Sequence, residues 1–93
     1  MKRLEIISLR TSGSCEQEAR KYMKKFCKLM KKHTSSSASF YVHASIPGDL
    51  AVVITSAAEQ GKDPGIDLGV CMADVMKQFG LVDHTCWILA DNQ

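Results

Sequence analysis

Two helical apolar stripes, each set between short runs of strand-like residues, constrain this chain more than any other feature. The first stripe is Cys15, Ala19, Tyr22, Met23, Phe26, Cys27 and Met30. These positions recur at the three- and four-residue spacing of one helix face, with lysines filling the other face. Ser14 and Gln17 have the S-x-x-Q spacing of a capping box, and Glu16 and Glu18 suit the positive end of a helix. The second stripe is Leu68, Cys71, Met72, Val75, Met76 and Phe79, opened by Asp63-Pro64 and closed by Gly80. Aspartate before proline is a helix start, and glycine a helix stop.

Four strand patterns surround these helices. Leu4 to Arg10 reads as the first strand, and Thr11-Ser12-Gly13 breaks it. His33 to Ser37 reads as a polar loop. Ala38 to Ile46 alternates Phe40, Val42, Ala44 and Ile46 against Tyr41, His43 and Ser45. Pro47-Gly48-Asp49 is a turn signal, and Leu50 to Thr55 is a third strand, apolar on both faces. Ala57 to Lys62 reads as a loop, Leu81 to Ala90 as the last strand, and Asp91-Asn92-Gln93 as a polar tail.

The order is therefore β-α-β-β-α-β, within a length of 93 residues that suits one domain over 1–93. Right-handed crossovers turn that order into a ferredoxin-like α+β fold, a four-stranded antiparallel sheet with both helices on one face. Strands three and four offer apolar residues to both faces, so the open face needs cover. A second copy of the chain is the cheapest cover, which predicts a homodimer through that face.

This whole-chain order resembles the dimeric α+β-barrel superfamily, which includes the antibiotic-biosynthesis-monooxygenase-like proteins. The segments Ile46-Pro47-Gly48-Asp49-Leu50 and Phe79-Gly80-Leu81-Val82-Asp83-His84-Thr85-Cys86-Trp87-Ile88 look like those of a group of small bacterial proteins without an assigned activity. The resemblance implies two ferredoxin-like chains packed sheet against sheet. Cofactor-free oxygenases of this class bind flat aromatic substrates between sheet and helices. They activate them with Trp, Asn, Tyr or His side chains. Here Trp87, Tyr41, Tyr22 and the histidines are available, whereas the only asparagine is Asn92 in the tail.

Other proteins with this element order fit less well. Thr11-Ser12-Gly13-Ser14-Cys15 lacks the C-x-x-C of a heavy-metal-associated domain and the glycine-rich anion loop of an acylphosphatase. Strands one and three lack the stacking aromatics of an RNA-recognition motif.

Candidate site residues follow from the strands. His43 and His84 fall on the two edge strands, far apart within one chain. In a barrel dimer the opposite edges can meet, and His43, His84 and Asp83 become candidates for proton transfer or for an intersubunit metal. The plain alternative is three locally hydrogen-bonded polar residues. Tyr41 and Trp87 are candidate ligand-binding residues, or else interface anchors. Cys15 at a helix start has the position of a reactive thiolate but lies in the apolar stripe, which favours burial. Gln60-Gly61-Lys62-Asp63-Pro64-Gly65 lacks P-loop spacing and reads as a capping loop.

Charge is local. Residues 1–46 carry ten Lys/Arg against three Glu, and residues 47–93 carry two Lys against seven Asp/Glu. Lys21, Lys24, Lys25, Lys28, Lys31 and Lys32 lie on one helix without interleaved aromatics, so they read as a solvated face next to an acidic second half, with no nucleic-acid or membrane partner. No apolar run approaches the roughly 20 residues of a membrane span. Glu5 and Arg10 interrupt the start too early for a secretory signal. Cys15, Cys27, Cys71 and Cys86 show no C-x-x-C. Cys15 and Cys27 stand about 18 Å apart on one helix, beyond disulfide reach. Reduced, mostly buried thiols in a cytoplasmic protein are the simplest reading.

Two functional classes fit. In one, the barrel or its helix–sheet cleft binds a small apolar or aromatic molecule and oxidises or isomerises it with no cofactor. In the other, the domain is a non-catalytic binding or assembly module whose polar residues are structural.

Overall fold

The structure is a computed structural model and describes residues 2–33, 36–56 and 64–90. Its elements are β1 (Arg3–Thr11), α1 (Glu16–His33), β2 (Ser37–Val42), β3 (Asp49–Ser56), α2 (Pro64–Met76) and β4 (Gly80–Ile88), with short 3-10 turns before α1 and after α2. One antiparallel sheet has the order β2-β3-β1-β4, so β2 and β4 are the edges. This is the α+β ferredoxin-like arrangement expected from the sequence. The loop between residues 57 and 62, the Asp63 cap and Asn92 lie outside the described residues, as do Thr34 and Ser35.

The central strand sets the geometry. On β1 the odd positions point to the helices, with Glu5, Ile7 and Leu9 buried. Direct cross-strand pairing puts Val52 and His84 beside Ile7, and Ile54 and Cys86 beside Glu5. Opposite residues in an antiparallel pair share a face, so one strand's parity assigns its neighbours. The core gathers Ile7, Leu9, Leu50, Val52 and Ile54 from the sheet against Ala19, Met23 and Met30 of α1 and Met72, Ala73, Met76 and Phe79 at α2 and its exit. The unbranched methionines fill the irregular space between two helices and a twisted sheet. The even positions of β1, with Ala51 and Val53 of β3 and Thr85 and Trp87 of β4, form the opposite face.

Several local expectations need correction. Strand β2 stops at Val42 instead of running to Ile46. Beyond it the His43 Nδ1 accepts the backbone N–H groups of Ser45 and Ile46, both at 2.9 Å. Those donors therefore turn toward a ring nitrogen and leave the strand ladder. The α1 entry is a 3-10 turn over Gly13–Cys15, preceded by Ser12, which makes no side-chain cap; the helix itself begins at Glu16, so Ser14 of the expected capping box lies inside the 3-10 turn. The α1 stripe holds, with Ala19, Met23 and Met30 fully buried. On α2 the buried face runs through Gly69, Met72, Ala73, Met76 and, one turn on, Phe79, which leaves Cys71 outside it. Cys71 and Cys86 are exposed, while Cys15 and Cys27 are half-buried. All four are free, but the thiols are less buried than the sequence suggests. Burial pushes the Cys27 thiol up, which keeps it protonated and unreactive.

Gly80 joins the 3-10 exit of α2 to β4 where two backbones nearly touch. A Cβ there would lie 2.0 Å from the Arg10 carbonyl oxygen. We expect Gly80→Ala to cost on the order of 3 kcal/mol in chemical denaturation, because backbone must move to admit the methyl. A loss below about 0.5 kcal/mol, the range of neutral surface changes, would contradict this packing.

Candidate functional site

The inward face of β1 carries a carboxylate where a core strand ordinarily has an aliphatic residue. Glu5 is 2% exposed and is the one charged residue among the buried set of the described residues. Taking an ion out of water costs several kcal/mol unless a partner meets it. The partner is His84, whose Nε2 lies 2.7 Å from Glu5 Oε1. The histidine ring retains 24% exposure, against 3% for the glutamate side chain. Helix α2 covers the pair from above. A Cβ on Gly69 would come within 2.7 Å of Glu5 Oε1, so the missing side chain makes room for the carboxylate.

This is a carboxylate–imidazole pair of the kind that orients a base. An ionised Glu5 accepts the Nε2–H of His84, which fixes one tautomer and leaves Nδ1 as the acceptor. The same carboxylate stabilises the imidazolium that forms when the ring takes a proton. Beside the pair, Arg3 Nη2 donates to Cys86 Sγ at 2.9 Å.

The other candidate residues fall elsewhere. Asp83 and Thr85 flank His84 in sequence and so project to the opposite, open face of the sheet. His43 lies beyond the end of β2, with its Nδ1 engaged in the turn. Within one chain, then, His84 does not meet His43 or Asp83. Tyr41, His43 and Asp83 instead border a groove of about 400 Å³ with Arg10, Asp49 and Leu81. Trp87 borders a second groove, of about 690 Å³, with Arg3, Leu4, Thr55, Ile88 and Leu89. Its indole N–H donates to Thr85 Oγ1 at 3.0 Å, and the residue is 57% exposed. Among the described residues no cluster of three His, Cys, Asp or Glu is placed to hold a metal. The loop from Gln60 to Lys62 lies outside the described residues. The lysines of α1 are exposed, and no ion pair joins them to α2 among the described residues.

Glu5 is the residue that sequence reading missed. Two signals point to it: Ile7 and Leu9 share its parity on the strand, and an unexplained glycine sits inside α2 at position 69.

No protein-family model and no curated protein sequence matches this chain. Solved structures do. SnoaB, a cofactor-independent oxygenase from Streptomyces nogalater, superposes in a variant form with a TM-score of 0.71 at 6% identity, covering 98% of this chain and 95% of its own. A candidate antibiotic biosynthesis monooxygenase from Deinococcus radiodurans gives 0.71 at 15% identity with the same coverage. This chain shares the ferredoxin-like α+β fold of these two structures. The de novo designed protein Ferredog-Diesel also superposes, with a TM-score of 0.65 at 12% identity over 95% of this chain and 85% of its own. A designed chain shares the architecture, so the architecture alone assigns no activity.

The open-face groove contains a forked ion pair. Arg10 Nε and Nη2 reach Asp49 Oδ1 and Oδ2, each at 3.1 Å. The Arg10 hydrogen bond holds the Asp49 carboxyl below its ordinary 3.8; desolvation opposes it, and the Arg10 and His43 charges add smaller pulls in the same direction as the hydrogen bond. A carboxylate with a lowered folded pKa stabilises the fold above its unfolded value, and that contribution disappears as pH falls through the folded value. Asp49→Asn is therefore expected to lose stability relative to wild type at neutral pH and to converge with it below pH 3.8. Urea titrations at pH 7 and below 3.8 would check this, and a constant difference across that window would refute it.

Proposed function

We propose that the protein is a homodimeric α+β barrel that takes a proton from a small apolar or aromatic carbon acid at the Glu5–His84 pair, without a cofactor. The observation that carries this reading is the buried glutamate held 2.7 Å from a part-exposed imidazole. A leucine at position 5 would serve the core better, so the carboxylate is explained by chemistry at His84. The fold shared with SnoaB supports the class of reaction, since that protein is a cofactor-independent oxygenase.

Two outcomes begin from the same carbanion. Returning the proton to another carbon is an isomerisation. Alternatively the carbanion reduces molecular oxygen itself. A CH₂ group then becomes a carbonyl, one oxygen atom stays on carbon, and the other leaves as water with the two hydrogens. In both cases His84 accepts the first proton and Glu5 stabilises the charged ring. Solvent-derived deuterium in a phenolic arene probe and oxygen uptake distinguish the two. Glu5→Gln and His84→Gln are expected to slow the measured step by about a hundredfold or more. A rate unchanged in both variants would remove the pair from the mechanism.

The second copy covers the open sheet face on this reading. Tyr41, Leu81 and Trp87 are exposed there at 54, 76 and 57%. Such large apolar side chains gathered on one sheet favour a protein partner over water. Free cysteines, and the lack of any described helix long and apolar enough to cross a membrane, support a cytoplasmic setting. Light scattering after size exclusion should give twice the 10.3 kDa of one chain, and Trp87→Asp with Leu81→Asp should give the monomer. A wild-type monomer at micromolar concentration would sink the dimer.

A further inference from the structure

Every exposed residue of α1 from position 21 to position 32 is a lysine except one. The lysines are Lys21, Lys24, Lys25, Lys28, Lys31 and Lys32, and the exception is Leu29, 47% exposed. At about 100° per residue the six lysines fall within an arc of about 120°, and they extend about 16 Å along the helix axis. Ala19, Met23 and Met30 are buried on the opposite side of the same helix, so the strip faces away from the sheet.

This charge is not neutralised from within. The sequence places an acidic second half beside it, yet among the described residues no ion pair reaches any of the six lysines. Asp74 of α2 pairs with Lys77 of its own helix, and Glu16 pairs with Arg20. Lys28 has Lys25 and Lys31 three residues away and Lys24 and Lys32 four away. Like charges at those spacings repel and weaken a helix. A face that met only water would do better with acids interleaved, whereas a negative surface turns the same crowding into attraction.

The rest of the strip selects among anionic partners. A duplex groove receives a helix whose flanks are free, but on α1 Tyr22, Phe26 and Cys27 pack against the core. The strip has no arginine for forked contacts and no aromatic ring on which bases could stack. Leu29, with Lys25 and Lys32 at helix spacing on either side, gains nothing against phosphates alone. The boundary between headgroups and acyl chains does accept an apolar side chain among lysines.

We propose that the lysine strip of α1 is a docking surface for an anionic lipid bilayer, with the six ammonium groups among the headgroups and Leu29 at the acyl boundary. The domain lies on such a bilayer without crossing it, since no described helix is long and apolar enough to span one. The strip is on the helix side of the sheet, so the proposal depends neither on the Glu5–His84 pair nor on a dimer through the open face.

The test is cosedimentation with phosphatidylcholine vesicles, either pure or containing about 30% phosphatidylserine, in about 0.1 M salt. Wild type should bind the anionic vesicles at least tenfold more tightly than the neutral ones, and lose most of that binding in about 0.5 M salt. The triple variant Lys24→Gln, Lys28→Gln, Lys31→Gln should bind about a hundredfold more weakly, whereas arginine at the same three positions should bind as wild type does. Glutamine suits an exposed helix as well as lysine does, and circular dichroism checks that the triple variant folds. Equal binding to the two vesicles, binding to neither, or wild-type binding by the glutamine variant would overturn the proposal. So would tighter binding to a DNA duplex than to anionic vesicles in the same salt, which would make nucleic acid the partner. If the triple variant does not fold, Lys28→Gln alone should weaken binding about fivefold, and unchanged binding there would overturn the proposal equally.

Discussion

A charge on the inward side of the middle strand is the constraint around which the rest is arranged. Glu5 occupies a position flanked by Ile54 on one neighbouring strand and Cys86 on the other. Hydrophobic burial alone would not retain it there. Its short contact to His84 requires that β4 lie beside β1 in one register only, because a slip of one residue would turn the histidine to the far side of the sheet. The contact also requires a helix without a side chain at position 69. A strand register, a helix approach and a core vacancy filled by a carboxylate are thus coupled. The apolar packing of Ile7, Leu9, Met23, Met72 and Met76 supplies the stability that tolerates it.

Much of the architecture was legible in the order of periodicities. The α1 stripe and the edge positions of β2 and β4 followed from spacing and handedness. The end of β2 was not, because a histidine ring takes over backbone donors that strand propensity assigns to a ladder. Cys71 was misplaced by one helical step, since two overlapping apolar stripes can be drawn through Leu68 to Phe79 and only packing selects between them.

The candidate site was half legible. His84 stands out as a titratable residue in an apolar strand, but its partner is 79 positions away in sequence. Spacing motifs cannot show such a pair. Only the pairing of β1 with β4 brings it together. Adjacent residues misled for the same reason: Asp83 looks like the natural companion of His84 and points the other way. Tyr41 and Trp87 both stand exposed on the open face, away from the glutamate.

Strand β4 is one residue thick, yet it serves two audiences. Asp83, Thr85 and Trp87 address whatever lies against the sheet, while His84 and Cys86 address the space beneath α2. The two messages are interleaved letter by letter in a single nonapeptide. Natural variation or deliberate engineering can therefore rewrite one without disturbing the other by changing alternate positions. An insertion or deletion of a single residue exchanges them wholesale, so a change of length in this segment disturbs both faces where a substitution disturbs one.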